Sequence, residues 1–165
     1  MSTVRRRWLR LAAVLLGVLS VPADAQRAVG SQPEFRADVI TSRDPTLQIG
    51  GGINVPAGIY ARVGLTVAGG VAVRDRSVRS VRSAARLDAH ARFLLDPFRE
   101  YPVGVYGMGG ISVMYDGFER WRPRVTVGLG LESRARRGHT TAFELALGGG
   151  VRVGVVMRRA RATGR

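Results

Sequence analysis

The sequence predicts an all-β fold, an antiparallel up-and-down β-barrel of eight strands that follows an N-terminal signal peptide. The first observation is that extended segments alternate between apolar side chains and polar or small ones, which indicates strands with a different environment on each side. The clearest apolar face carries Ile59, Ala61, Val63, Leu65, Val67, Gly69, Val71 and Val73. The second is an export signal, after which no long apolar run follows Val21. An exported chain with this alternation suits a closed membrane barrel, because a barrel leaves no backbone group unpaired in lipid.

Residues 1–25 have the features of a secretory signal peptide. Four arginines lie near the start, an apolar run follows from Leu11 to Val21, and Ala23-Asp24-Ala25 supplies a small-x-small cleavage site. The run is too short for a helix that crosses a bilayer, which needs roughly 20 residues. Arg5-Arg6 also resembles a twin-arginine signal, so that export route stays open beside the ordinary one, which we favour.

The remaining chain is long enough for one domain. We expect a short polar lead at 26–34, a barrel at 35–158 and a basic tail at 159–165. The chain has no cysteine, so disulfides and thiol chemistry are excluded. The full sequence of 165 residues has a formal net charge of +14, and most of this charge lies after the signal peptide. In an exported protein this charge points to anionic lipid headgroups or other envelope polyanions, and not to nucleic acid.

The predicted strands differ in length and in the connections between them. They are 35–41, 46–55, 58–73, 84–95, 103–115, 124–133, 141–147 and 151–158. The glycines at 148–150 fit either a hairpin loop or a kink in one long strand, since both preserve the face. The connection at Pro56-Ala57 is short, whereas 74–83 and 116–123 are long. Outer-membrane barrels have short periplasmic turns, so both termini are expected on the periplasmic side.

The apolar face of the strands can point either into the barrel or out of it. A soluble barrel would bury Val63, Leu65, Leu87 and Leu129 and would bind an apolar ligand inside. A membrane barrel would turn these side chains outward. The opposite face of 103–115 has glycines, methionines and Tyr106, a composition that suits a narrow packed lumen better than a solvated surface.

On this alternation, its length and the export signal, residues 35–158 resemble the small eight-stranded outer-membrane barrel proteins of the OmpA/OmpX type. The resemblance implies a monomeric barrel in the outer membrane, in contact with membrane lipid. Aromatic residues on the apolar face are few, and Phe93, Tyr115 and Phe143 are the clearest.

Two groups of polar residues are candidate sites. A polar network inside the lumen is predicted from Arg62, Asp88, His90, Arg92, Arg124, Glu132, Glu144 and Arg152. An anion-binding loop is predicted from Arg74, Arg76, Arg79, Arg82 and Arg86. Such arginines would bind phosphates of lipopolysaccharide or another envelope polyanion. The alternative for this segment is a solvated flexible loop.

Catalytic chemistry finds little support. Some small barrels modify lipid A, and the deacylases among them use a His-x-Ser pattern that neither His90 nor His139 reproduces. The two histidines and the scattered carboxylates lack metal-ligand spacing. The glycines at 148–150 lack the lysine and helix of a phosphate cradle. We therefore expect no catalytic residue, cofactor or metal, and predict a non-enzymatic outer-membrane barrel of structural or surface-binding type. A lipid A-modifying enzyme and the soluble barrel remain the alternatives.

Overall fold

The computed structural model describes residues 31–74, 80–98, 100–115, 117, 121–136 and 138–159. The predicted signal peptide, the lead up to Gly30 and the tail after Arg159 lie outside these residues. Within them, no helix is long and apolar enough to cross a membrane.

The described chain forms one closed antiparallel barrel in which each strand pairs with the next and β8 returns to β1. The predicted fold class and strand count are therefore confirmed. The strands are β1 (Gln32–Thr41), β2 (Thr46–Pro56), β3 (Ala61–Arg74), β4 (Ser80–Leu94), β5 (Val103–Tyr115), β6 (Arg122–Ser133), β7 (His139–Leu147) and β8 (Val151–Arg159).

Strand boundaries differ from the predicted ones by three or more residues at three places. β3 begins at Ala61, so the connection after β2 is longer than the predicted Pro56-Ala57. β1 begins at Gln32, so the end of the predicted polar lead belongs to the barrel. β4 begins at Ser80, and its first residues pair with the end of β3, as in Arg74↔Ser80. The predicted loop at 74–83 is therefore shorter than expected. Residues 80–83 belong to β4, because a strand can continue through polar residues beyond its apolar part.

The barrel has two distinguishable ends. The described chain enters at Gln32 and leaves at Arg159 on the same side, which we call the terminal end. The turns after β1, β3, β5 and β7 lie on the opposite side, the distal end. The turn at 148–150 is a hairpin connection, so the alternative of one kinked strand is wrong. Gly149 has φ +87°, a conformation that favours glycine.

The apolar face points outward on every strand. On β1, Phe35 and Val39 are exposed, whereas Arg36 and Asp38 are buried. The soluble alternative assigned the faces wrongly. The side chains it would have buried are about half exposed: Val63 (48%), Leu65 (52%), Leu87 (47%) and Leu129 (61%).

Small residues fill much of the distal half of the interior. Ala68, Ala72, Ala84 and Ala146 are almost fully buried there. At Gly70 a Cβ atom would collide with the carbonyl oxygen of Leu47 on the neighbouring strand. An eight-stranded barrel is just wide enough for side chains to fill, so this close approach leaves little open space.

Aromatic rings pack in pairs near both ends of the barrel. Tyr60 and Phe93 stack with ring centroids 6.1 Å apart at the terminal end. Tyr115 and Trp121 stack at 5.5 Å at the distal end. The predicted positions Phe93 and Tyr115 thus each gain a partner that lies in, or next to, a turn.

Candidate functional site: the ion-paired lumen

The interior of the barrel is a network of arginines and carboxylates, and β1 supplies its first members. Glu34, Arg36 and Asp38 alternate with apolar residues that point outward, so all three side chains enter the lumen. Arg36 donates from Nε to Oδ2 of Asp38 (2.7 Å) and from Nη2 to Oδ1 (2.8 Å). Paired contacts of this kind are among the strongest polar interactions in proteins.

Glu144 of β7 is the acceptor on which most of these arginines converge. Its Oε2 accepts from Nη2 of Arg36 at 3.0 Å. Its Oε1 accepts from Nη2 of Arg92 at 3.0 Å and from Nη2 of Arg158 at 2.8 Å. The hydroxyl of Tyr106 also donates to Oε1, at 2.7 Å. One carboxylate therefore joins side chains from β1, β4, β5 and β8.

Glu34 of β1 plays a similar part, two strands away from Glu144 around the barrel. It accepts from Nδ2 of Asn54 at 2.6 Å and from the hydroxyl of Thr66 at 3.0 Å. Arg92 lies 3.1 Å from Glu34 and also donates to Oδ1 of Asn54. Nε of Arg158 donates to Glu34 at 3.1 Å. Arg92 and Arg158 therefore bridge two acidic residues, Glu34 and Glu144.

Tyr106 lies between these bridging arginines. The guanidinium carbons of Arg92 and Arg158 are 5.9 and 5.4 Å from its ring centroid, within the range of cation–π attraction. Arg158 also donates to the Tyr106 hydroxyl at 3.0 Å and to Glu132 at 2.6 Å. Arg62 donates to Glu132 at 3.2 Å and extends the network toward the terminal end.

A second group of charges lies nearer the distal end. Arg86 donates to Asp38, and its Nε lies 3.0 Å from Oδ2 of Asp88. Arg152 donates to the same Asp88 oxygen at 3.1 Å. Asp38 is bonded to both Arg36 and Arg86, so it connects this group with the Glu144 network.

Because the network is buried, breaking one of its ion pairs should strongly reduce the stability of the barrel. The side chains of Arg36, Arg92, Glu34 and Glu144 have no exposed surface, so each charge has lost its hydration. A buried ion whose partner is removed costs several kcal/mol, whereas a fully connected network is rigid. A recess at the terminal end, beside Arg62 and Tyr106, measures about 20 Å³, room for about one water. Among the described residues, the lumen is therefore filled mainly by the polar side chains of the network.

The sequence-predicted lumen residues all lie on the interior face, but they differ in their partners. Asp88, Arg92, Glu132, Glu144 and Arg152 are bonded as described above, together with Arg62. His90 is buried, yet neither ring nitrogen has a hydrogen-bond partner among the described residues. Arg124 is half-buried at the distal end, where its guanidinium lies against Gly149.

The five arginines of the predicted anion-binding loop do not form one group in the structure. Arg76 and Arg79 lie outside the described residues. Arg82 is exposed near the start of β4, and Arg74 donates to Asp44 of the neighbouring turn, through Nε at 2.8 Å. Placing Arg86 in the loop is wrong, because β4 begins before it and its side chain is buried in the lumen.

Several central members of the network were missed by the sequence reasoning. Glu34 was assigned to the polar lead, and Arg158 was left out although it ends the last predicted strand. Arg36 and Asp38 were not considered, although their alternation with Phe35 and Val39 was a usable signal. Tyr106 is predicted on the lumen face but not in the network, and Asn54 is in neither prediction. Only the closed barrel shows that Asn54 faces Glu34 and that Tyr106 faces Glu144.

Among the described residues, no group of three or more histidine, cysteine or acidic side chains is placed to hold a metal ion. The charged side chains of the network are directed at one another, in contacts that tie the strands together. Chemically, this arrangement works as a rigid internal brace.

Comparison with known proteins supports the architecture. The N-terminal β-barrel domain of Pseudomonas aeruginosa OprF is similar in structure, with a TM-score of 0.51, 12% identity, and coverage of 79% of this chain and 98% of that chain. A de novo designed transmembrane β-barrel has a TM-score of 0.51 at 13% identity and covers 78% of this chain and 93% of its own. Neither a protein-family model nor a curated protein matches the sequence. At these identities the likeness shows the fold alone, a closed antiparallel β-barrel.

Proposed function

We propose that the chain is a non-enzymatic outer-membrane β-barrel of structural or surface-binding type, inserted as a monomer. The observation that carries the proposal is the inversion of its two surfaces. Large apolar side chains point outward from all eight strands, whereas charged side chains are buried. A barrel in water would have the reverse arrangement, and a barrel in lipid has this one.

The exposed apolar surface is too continuous for a protein in water. It surrounds the barrel, whereas monomeric soluble proteins rarely expose apolar patches of more than a few hundred Å². Its members include Leu47, Ile49, Ile53, Val67, Ile111, Val125, Val127, Leu145, Leu147 and Val155. Lipid chains would cover this belt, and the stacked aromatic pairs would lie near its two boundaries.

The proposed orientation places the terminal end in the periplasm. The longest connection between strands, 95–102, lies at the terminal end, so loop length does not decide the orientation. The proposal rests on the arginines of the segment between β3 and β4, which belongs to the distal end. The exposed arginines Arg43 and Arg82 would then face the anionic outer surface.

The proposed partner of the distal end is the phosphate of lipopolysaccharide or a similar envelope polyanion. Arg43 and Arg82 are exposed in the structure, and the sequence adds Arg76 and Arg79 between β3 and β4. Guanidinium–phosphate hydrogen bonds are charge-assisted and supply both orientation and affinity. The lumen arginines contribute nothing to this contact, because their side chains are buried inside the barrel.

Membrane fractionation tests the first part of the proposal. The full chain is expressed, the membranes are separated, and extracted protein is run on gels with and without boiling. We expect outer-membrane residence and a band that migrates differently when folded. Recovery as a soluble periplasmic protein would contradict membrane insertion.

The surface-binding part needs a separate measurement. The double variant Arg43→Gln, Arg82→Gln should bind vesicle-bound lipopolysaccharide more weakly than wild type, with the difference decreasing at high salt. Arg136→Gln at the terminal end is the matched control. Equal binding by all three proteins would remove the distal arginines from the proposal and leave membrane insertion untouched.

A further inference from the structure

The distal half of the lumen contains a small recess that is lined in part by two arginines of the network. Arg86, Ser112, Thr126 and Arg152 line it, next to the hairpin turn at Gly148. All four side chains are at least nine-tenths buried. The recess measures about 10 Å³, which is room for about one water molecule.

Two arginines at this recess have buried N–H groups without a hydrogen-bond acceptor among the described residues: Nε and Nη1 of Arg86 and Nε of Arg152. Oδ1 of Asp88 also lacks a partner, while Oδ2 of Asp88 lies 3.0 Å from Arg86 and 3.1 Å from Arg152. Arginine N–H groups are strong donors, and leaving them unbonded away from bulk water is costly. Because both arginines line the recess, an acceptor placed there would lie beside two guanidinium groups.

The charges around the recess do not balance. Among the described residues, Arg86, Arg124 and Arg152 occupy the distal part of the interior with Asp38 and Asp88 as counter-charges. Asp38 is also engaged with Arg36, so its charge is shared further. A water molecule would accept hydrogen bonds here but would not neutralise the excess positive charge. An anion would accept the hydrogen bonds and also neutralise the charge.

We propose that this recess binds one small monovalent inorganic anion of the size of chloride. Arg86 and Arg152 supply the charge and the N–H donors, and the hydroxyls of Ser112 and Thr126 complete the lining. The volume excludes phosphate and sulfate, each of which carries four oxygens around its central atom. All of these residues lie inside the barrel. A test of the anion site is therefore independent of the proposal that the barrel inserts into a membrane.

Bromide serves as the direct probe, because it replaces chloride and scatters anomalously. Crystals of the detergent-extracted full chain are soaked in sodium bromide. Anomalous density beside Arg86 and Arg152 is the expected result. A recess that contains only water density under these conditions would overturn the proposal.

Affinity is measured by the chloride dependence of thermal unfolding, at constant ionic strength maintained with the bulky anion gluconate. An anion that binds only the folded state raises its stability. Thr126→Val keeps the shape and removes one hydroxyl, and Arg152→Gln removes one charge. We expect the half-saturating chloride concentration to rise about tenfold or more in Arg152→Gln, and by less in Thr126→Val.

Arg136→Gln, an exposed position at the terminal end, is the control and should behave as wild type. If Arg152→Gln does not fold, Thr126→Val decides the result alone. A chloride dependence that is the same in wild type and in the lining variants would contradict the site. Stabilisation by phosphate as strong as by chloride would contradict its size selectivity.

Discussion

Arg36 and Glu144 are separated by 108 residues in the sequence and are joined inside the barrel by a 3.0 Å hydrogen bond from Nη2 to Oε2. The two residues come from β1 and β7, which flank β8 on either side. Their contact therefore reinforces the closure between the first and last strands. Closure of a barrel thus depends on side-chain pairs in the lumen as well as on backbone pairing.

Loss of the Glu144 charge should destabilise the barrel strongly. Glu144→Gln would leave Arg36, Arg92 and Arg158 without their common carboxylate, and a broken buried pair costs about 3–5 kcal/mol. The free energy of unfolding is measured by urea titration in lipid vesicles. Glu100→Gln on the exposed surface is the control and should have little effect. Similar stabilities of the two variants would argue against the brace.

Tyr106→Phe isolates the contribution of one hydroxyl. The variant keeps the ring between Arg92 and Arg158 and removes hydrogen bonds to Glu144 and Arg158. We expect a loss of about 1–3 kcal/mol in the free energy of unfolding. Tyr101→Phe, at an exposed position, should be neutral within about 0.5 kcal/mol. A Tyr106→Phe barrel as stable as wild type would mean that the hydroxyl carries no net energy.

The apolar belt can be tested with one substitution at two depths. Val67 is 63% exposed midway along β3, and Val81 is 57% exposed near the distal end of β4. Val67→Arg should reduce stability in lipid vesicles by about 2–4 kcal/mol, and Val81→Arg by about 1 kcal/mol or less. In a water-soluble barrel both exposed arginines would be tolerated, so equal and small effects would contradict the membrane belt.

Two adjacent glycines on β3 test how closely the strands approach. A Cβ atom at Gly70 would collide with the backbone of Leu47, whereas one at Gly69 would lie 3.8 Å from its nearest neighbour. Gly70→Ala should therefore cost about 1–3 kcal/mol in the free energy of unfolding, measured by urea titration. Gly69→Ala should change it by about 0.5 kcal/mol or less. The reverse order would show that the interior is wider than the structure indicates.

Much of the fold follows from local periodicity. Each predicted strand corresponds to an observed one, because alternation of period two is a property of neighbouring residues. The shifts at Gln32 and Ser80 arose where alternation continued through polar residues, as in Glu34-Phe35-Arg36. Apolar residues indicate the central part of a strand, and polar residues can extend the strand beyond that part.

The network could be predicted only in part. Charges at alternating positions, such as Asp88, Arg92 and Glu144, were assigned to the lumen from their own strands. The partners could not be assigned in this way, because the register and tilt of the closed barrel decide which strands face each other. The pair formed by Asn54 and Glu34 is an example, since neither residue indicates the other in the sequence.

The sequence alone determined the class of fold and the two unlike faces, since each depends on residues close together in the chain. The tertiary structure decided that 148–150 is a hairpin turn, which makes the number of strands eight. The tertiary structure alone decided that the apolar face points outward and that Arg36, Arg92 and Arg158 share Glu144. The physical reason is that a face has no inside or outside until the sheet closes. A buried charge likewise has no partner until distant strands are brought to the same level of the lumen.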